Sequence, residues 1–255
     1  MSVNKIDLSG KHAVVTGGSS GIGAAVVRAL ASAGASVTVM ARKRYHSAGD
    51  SELYDDPKVE FIELDVSDGK TVTRVFADVA ARKGIDISVL AAGLLLSGKV
   101  LDTDDETWRR TMAVNLDGVF YATRESIRHM MAQGRGGKLV SIGSIFGYRG
   151  CQGFAAYCTS KGGALNFTRQ VAMDYAAHGI NVNAVAPGFV HTAMTDIYDK
   201  EMKETLAAQT PNGKWGTSQQ IADAVMFLSS SLADHIHGQS ILVDGGWTLG
   251  VFAQR

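Results

Sequence analysis

Two side chains spaced for proton chemistry stand in Tyr157-Cys158-Thr159-Ser160-Lys161. On a helix, residues four apart lie one above the other on the same face. An ammonium beside a phenol favours the phenolate and lowers the tyrosine pKa from its ordinary value of about 10. The expectation is a phenol that exchanges a proton with an alcohol near neutral pH. A core tyrosine beside a surface lysine has the same spacing, so the weight of the pair depends on what surrounds it.

A second group of residues has the form of a phosphate cradle. Thr16-Gly17-Gly18-Ser19-Ser20-Gly21-Ile22-Gly23 lies between the apolar run His12–Val15 and an alanine-rich helical stretch ending near Ala33. Glycines there permit a tight turn and let backbone amides approach a pyrophosphate at the helix N-terminus. Their spacing is G-x-x-x-G-x-G, not the G-x-G-x-x-G of the usual dinucleotide fingerprint. After the second strand an acid would accept from the adenosine ribose hydroxyls. This chain has Ala41-Arg42-Lys43-Arg44 instead. A guanidinium at Arg42 suits a phosphate dianion, which favours NADP(H) and leaves NAD(H) as the alternative.

These groups need a scaffold that brings them together. Short apolar runs at 12–15, 37–40, 59–64, 87–91, 139–142, 180–185 and 240–243 read as strands. Helical stretches separate most of them, including one long helix from Thr103 to Met131, one from Phe154 to Ala177 and one from Ser218 to Ser230. The polar stretch 44–57 has poor periodicity, and an irregular stretch runs from Pro187 to about Gly213. Alternating strands and helices imply right-handed crossovers and a mostly parallel sheet covered on both faces. The fold class is α/β, a single doubly wound Rossmann-type domain over residues 1–255.

Composition excludes several classes of function. The chain has 255 residues, 45% of them apolar, with 25 basic and 25 acidic side chains. That balance offers no electrostatic argument for nucleic acid or an anionic membrane. Cys151 and Cys158 are too few for a disulfide framework and read as inert thiols in a reducing compartment. No apolar run approaches the roughly 20 residues of a membrane span, and no secretory signal is evident, so a cytoplasmic location is expected. His235 and His237, with Asp234 and Asp244, read as polar loop residues, and no metal is expected. Trp108, Trp215, Trp247 and Met130-Met131 read as packing residues.

With these stretches in hand, the chain resembles the classical short-chain dehydrogenase/reductase family over essentially its whole length. The matching motifs are Thr16-Gly17-x-x-x-Gly21-Ile22-Gly23, Asn115, Ser144, Tyr157-x-x-x-Lys161 and Pro187-Gly188. The one-turn tyrosine–lysine spacing argues against the family's enoyl-reductase branch. The resemblance implies a seven-stranded sheet in the order 3-2-1-4-5-6-7. It also implies a nucleotide-binding half over about 1–135, a catalytic half over about 136–255 and a substrate loop over about 189–215.

By position, Tyr157 would be the acid–base residue. Lys161 would tune it and hold the nicotinamide ribose, and Ser144 would bond the reacting oxygen. Asn115 would sit at a helix distortion and anchor a water in a proton relay. The turn Gly17–Gly23 would hold the pyrophosphate, Asp65 and Val66 the adenine, and Ala91, Ala92 and Gly93 the adenosine ribose. Pro187, Gly188, Val190 and Thr192 would meet the nicotinamide end. Leu90 and Ala91 stand where the family usually has two asparagines.

The implied activity is NADP(H)-dependent interconversion of a secondary alcohol and a ketone or aldehyde on a small molecule, by a homotetramer. The alternatives are a 3-oxoacyl-thioester reductase, suggested by Ile142-Gly143-Ser144, and a non-catalytic nucleotide-sensing protein. Substrate choice is expected in Leu94–Leu96, Ile145–Phe154 and Phe189–Trp215, with Arg149 and His191 as the polar candidates.

Overall fold

Seven strands form one parallel sheet in a computed structural model that describes residues 6–44 and 51–250. The strands are β1 His12–Thr16, β2 Ser36–Ala41, β3 Val59–Glu63, β4 Ile87–Leu90, β5 Gly137–Ile142, β6 Ile180–Pro187 and β7 Ser240–Val243. Their order is β3-β2-β1-β4-β5-β6-β7, as the resemblance implied. Chain direction across the sheet reverses between β1 and β4. A doubly wound sheet opens a crevice at that point, outside the carboxyl ends of its strands.

Helices cover both faces. They are α1 Gly21–Ser32, α2 Gly69–Lys83, α3 Asp105–Met112, α4 Gly118–Gln133, α5 Ala155–Tyr175, α6 Lys200–Ala208 and α7 Ser218–Leu228. Because strand side chains alternate between faces, Ala13, Val15, Val37 and Val39 pack with α1 and α7. Val14, Met40, Leu90 and Leu139 pack with α2, α4 and α5 on the other side. All five residues of β1 and all eight of β6 are buried, Asn181 and Asn183 among them, as expected for strands covered on both faces.

Two expectations need correction. The single helix from Thr103 to Met131 is in fact α3 and α4, joined by a π-helical turn over Ala113–Asp117. The stretch expected to be irregular after Pro187 contains α6, capped by Asp199, whose carboxylate accepts from the Met202 amide at 2.8 Å. Of the polar 44–57 stretch, 45–50 lie outside the described residues, and Ser51–Tyr54 form a short 3-10 turn.

Helix caps differ in a way that bears on the site. Asp68, Asp104, Asp199 and Thr217 each accept from first-turn amides of α2, α3, α6 and α7. Ser20, at the N-terminus of α1, makes no such bond, and the first turn of α1 carries no acid. The α1 amides are left to an outside acceptor.

Candidate active site

The carboxyl ends of β1, β2, β4, β5 and β6 surround one cleft of about 590 Å³. Gly17 lies at its base with φ +66°, and a Cβ there would stand 2.6 Å from the Ala92 backbone. A Cβ on Gly23 would stand 2.2 Å from the Gly17 carbonyl oxygen. Those two approaches hold the turn against α1 and the end of β4, and they exclude any larger residue. The turn and the uncapped N-terminus of α1 therefore present backbone amides to the cleft, the arrangement an anion needs.

Most of the residues singled out from sequence line this cleft: Gly17, Ser19 to Gly23, Arg42, Asp65, Val66, Ala91 to Gly93, Ser144, Tyr157, Lys161, Pro187, Gly188, Val190 and Thr192. Gly18 does not, because it faces Val15 and Val27 in the core. Asn115 is fully buried behind the cleft. Its Oδ1 accepts from the Leu94 amide at 2.9 Å, while Nδ2 donates to the Leu94 carbonyl at 2.9 Å and to Ser160 Oγ at 3.2 Å. One amide hydrogen is thus spent on the chain after β4 and the other on Ser160 of α5. No sequence motif singles out Ser160 or Tyr198, yet the first braces Asn115 and the second lines the cleft.

At the adenosine end, Arg42 is exposed and bonds to no other described residue, with Lys43 beside it on the lining. Arg44 is committed elsewhere, its guanidinium 5.0 Å from the Tyr54 ring centre and 5.3 Å from that of Phe61. Asp65 holds a turn by accepting from the Ser67 amide at 2.9 Å.

At the other end, Tyr157, Ser144 and Lys161 are all more than nine-tenths buried. Burial raises the Tyr157 pKa, a hydrogen bond with Ser144 lowers it in part, and the result is about 12. Burial also pushes Lys161 down to about 8. Its Nζ donates to the Ile142 carbonyl at 2.8 Å and lies 5.8 Å from the Tyr157 ring centre. The expectation that the ammonium lowers the phenol pKa is therefore not met: desolvation outweighs it, and no hydrogen bond joins Nζ to the phenol oxygen among the described residues.

Ser144 Oγ accepts from the Phe146 amide at 3.1 Å, which fixes its oxygen while leaving its proton to donate. Cys151 and Cys158 are free and half-buried, and burial raises both thiol pKa values. Asp234 pairs with Lys138, His237 with Asn181, and Asp244 with the Gly246 and Thr248 amides. Among the described residues no helix is long and apolar enough to cross a membrane.

The sequence matches a family model described as enoyl-(acyl carrier protein) reductase over residues 17–248. It is 35% identical over 246 residues to a 3-oxoacyl-[acyl-carrier-protein] reductase of Aquifex aeolicus, covering 95% of this chain and 99% of that protein. A galactitol 2-dehydrogenase (L-tagatose-forming) of Cereibacter sphaeroides is 37% identical, with 95% and 96% covered. A protein from Agrobacterium tumefaciens, assigned as a 2-deoxy-D-gluconate 3-dehydrogenase and solved with bound NADP, superposes with a TM-score of 0.89. That structure has 34% identity and covers 97% of this chain and 100% of its own.

Proposed function

This chain belongs to the short-chain dehydrogenase/reductase family, and from that premise we propose an NADP(H)-dependent oxidoreductase that interconverts a ketone or aldehyde and its alcohol. One observation carries the reading. A buried phenol, a serine hydroxyl and an ammonium converge at one end of a cleft whose other end offers open backbone amides and an arginine with no partner among the described residues.

The residues present fit a phosphorylated dinucleotide. The Gly17–Gly23 turn and the first turn of α1 hold its pyrophosphate, and Arg42 meets a 2′-phosphate, which is why NADP(H) is favoured over NAD(H). Asp65 and Val66 flank the adenine, Ala91, Ala92 and Gly93 the adenosine ribose, and Pro187, Gly188, Val190 and Thr192 the nicotinamide. The cofactor, when bound, supplies a hydride to the carbonyl carbon.

The protein manages the charge that appears on oxygen. Donors already aimed at that oxygen lower the barrier, because they need no reorganisation as charge develops. Ser144 and Tyr157 are those donors. A phenol at about 12 keeps its proton at neutral pH and delivers it to the alkoxide. The Lys161 ammonium then faces a phenolate, and holds the ribose as well. Asn115 acts through Leu94 and Ser160, setting the wall on which substrate and ribose rest.

The family model bears an enoyl reductase's description, but a tyrosine and lysine one helical turn apart side with the carbonyl-reducing relatives. The nucleotide half over about 1–135, the catalytic half over about 136–255 and the substrate loop over 189–215 are part of this reading, as is residence in the cytoplasm. So is a homotetramer built on α4, α5 and β7, supported by exposed Phe120, Met173 and Leu242; sedimentation as a monomer would contradict it.

The test follows NADPH absorbance with a ketone panel. Tyr157→Phe should cost about 100-fold or more in kcat, with NADPH binding retained. Wild-type rates in that variant would remove the mechanism. No turnover on any carbonyl would favour a nucleotide sensor.

A further inference from the structure

The structure assigns this site an apolar ketone, a carbonyl compound carrying aryl or alkyl groups, in preference to a polyol, a sugar acid or an acyl chain on an anionic carrier. The assignment rests on reading the cleft as a carbonyl reductase and names the substrate class for it.

Around Tyr157 and Ser144 the lining is dominated by Leu94, Leu95, Ile145, Phe146, Phe189 and Met194, with the hydroxyl of Tyr198 among them and that of Thr192 toward the nicotinamide end. Aromatic contacts stiffen this wall. Phe189 stacks on Trp215 at 5.4 Å, and Phe146 meets Trp247 edge-on at 5.7 Å. Thr195 does not add a donor, since its Oγ1 is turned onto the Val190 carbonyl at 2.8 Å.

The charged lining residues are Arg42, Lys43 and Asp65 at the adenosine end, and Lys161, which is anchored on Ile142. The two polar candidates read from sequence face elsewhere. Arg149 donates to the Thr248 carbonyl at 2.8 Å, and the His191 ring lies 5.1 Å from that of Trp215. Neither lines the cleft. Among the described residues a sugar acid would find no free cation on the substrate side. A polyol would find only the Tyr198 hydroxyl for its additional groups there, so most of them would lose water and gain no partner.

The segment after Val190 argues against a tethered anionic substrate. Up to Trp215 it carries Asp196, Asp199, Glu201 and Glu204 against Lys200, Lys203 and, at its far end, Lys214. The first two lysines are matched, Lys200 to Glu204 at 3.8 Å and Lys203 to Asp196 at 3.1 Å. The surplus is therefore negative beside Met194 and Tyr198, and it repels an acidic carrier or a phosphate-bearing arm. On the same segment Met194, Ile197 and Met202 expose apolar side chains, an entrance suited to hydrocarbon.

In the proposed turnover the C=O carbon takes hydride from NADPH and its oxygen takes the Tyr157 proton, and a solvent proton then restores the phenol, so ketone, NADPH and a proton become alcohol and NADP+. The experiment compares acetophenone and cyclohexyl methyl ketone with tagatose, dihydroxyacetone and acetoacetyl-coenzyme A, using wild-type protein and NADPH. The apolar ketones should lead by about 100-fold in kcat/KM, the discrimination an apolar pocket achieves against an added hydroxyl. Leu95→Asn should raise KM for acetophenone by about tenfold and leave the NADPH dissociation constant unchanged. Equal or better turnover of tagatose, dihydroxyacetone or the thioester would overturn the assignment and leave the reductase reading standing. Should no carbonyl turn over, quenching of tryptophan fluorescence in the NADPH-loaded protein separates the two. Saturable binding of acetophenone without binding of tagatose would retain the apolar ligand and sink the reductase, whereas absence of acetophenone binding would overturn the assignment itself.

Discussion

Replacing Arg42 by alanine tests the cofactor assignment most sharply, because the structure isolates that side chain. Arg44 is engaged by Tyr54 and Phe61, whereas Arg42 lines the cleft with no partner among the described residues. A guanidinium about 4 Å from a phosphate dianion in water gains roughly 1 kcal/mol per unit charge, or about 2 kcal/mol. A hydrogen bond to a charged group gives a figure in the same range. At about 1.4 kcal/mol per decade, that corresponds to about 30-fold. The assay is kcat/KM for NADPH and NADH at a fixed ketone concentration. Arg42→Ala should cut the NADPH value about 30-fold and leave NADH within about threefold. Raising the salt should shrink the wild-type preference, since exposed charges are screened over a Debye length of roughly 8 Å at physiological ionic strength. Arg42→Lys should recover part of the loss through charge alone. An equal loss for both cofactors, or none for either, would refute the role of the 2′-phosphate.

Three further outcomes are expected. Ketone reduction in wild type should fall as pH rises through about 8, because Lys161 then loses the proton that stabilises the departing phenolate; a flat profile between pH 7 and 9 would contradict this. Asn115→Leu should lower stability by about 1–3 kcal/mol, since it leaves the half-buried amide and carbonyl of Leu94 without their partner; denaturant melts showing no loss would remove the brace. Burial raises the Glu60 carboxyl, but Thr38, Lys83 and Arg82 outweigh it and hold the pKa near 2. With an ordinary value of 4.5, its stabilisation is present above that pH and is lost as pH falls toward 2. Glu60→Gln should therefore flatten the melting temperature in that window, and an unchanged slope would count against the pairing.

Much of this architecture was legible because its signals are local. The strands of the sheet interior are buried on both faces, so runs such as Val37–Met40 and Val89–Leu90 announce themselves without an alternating pattern, while Ile180–Val185 carries two buried asparagines, Asn181 and Asn183. The Gly17–Gly23 turn is equally plain, since close backbone approach leaves glycine as the residue that fits. The break at Asn115 was implied by the family resemblance but was not legible in the residues themselves. Met112 to Gly118 keeps helix-compatible residues throughout, and the π turn is held by bonds to Leu94 and Ser160, far away in sequence. The α6 helix did carry a sign, Asp199 ahead of good helix formers. The surrounding Pro187–Gly213 stretch is otherwise too polar for a periodic stripe to stand out. Arg149 and His191 were misplaced for a related reason: a polar residue in an apolar segment can turn to either side, and Thr248 and Trp215 decide which.

The phenol–amine pair shows what spacing can and cannot specify. Four residues on a helix bring Tyr157 and Lys161 to one face, which is proximity. Whether proximity lowers a pKa depends on how much water reaches both groups, and that is decided by Ile142, Ser144 and the walls of the cleft. Burial drives the two values apart, the phenol up to about 12 and the amine down to about 8. At neutral pH both groups still hold their protons. The pair is then an acid with a cation waiting beside the charge it leaves behind, an arrangement poised for reduction. Oxidation requires the phenolate first, so it should gain with rising pH where reduction loses. That opposition belongs to any group that is an acid in one direction and a base in the other; desolvation sets where on the pH scale it appears.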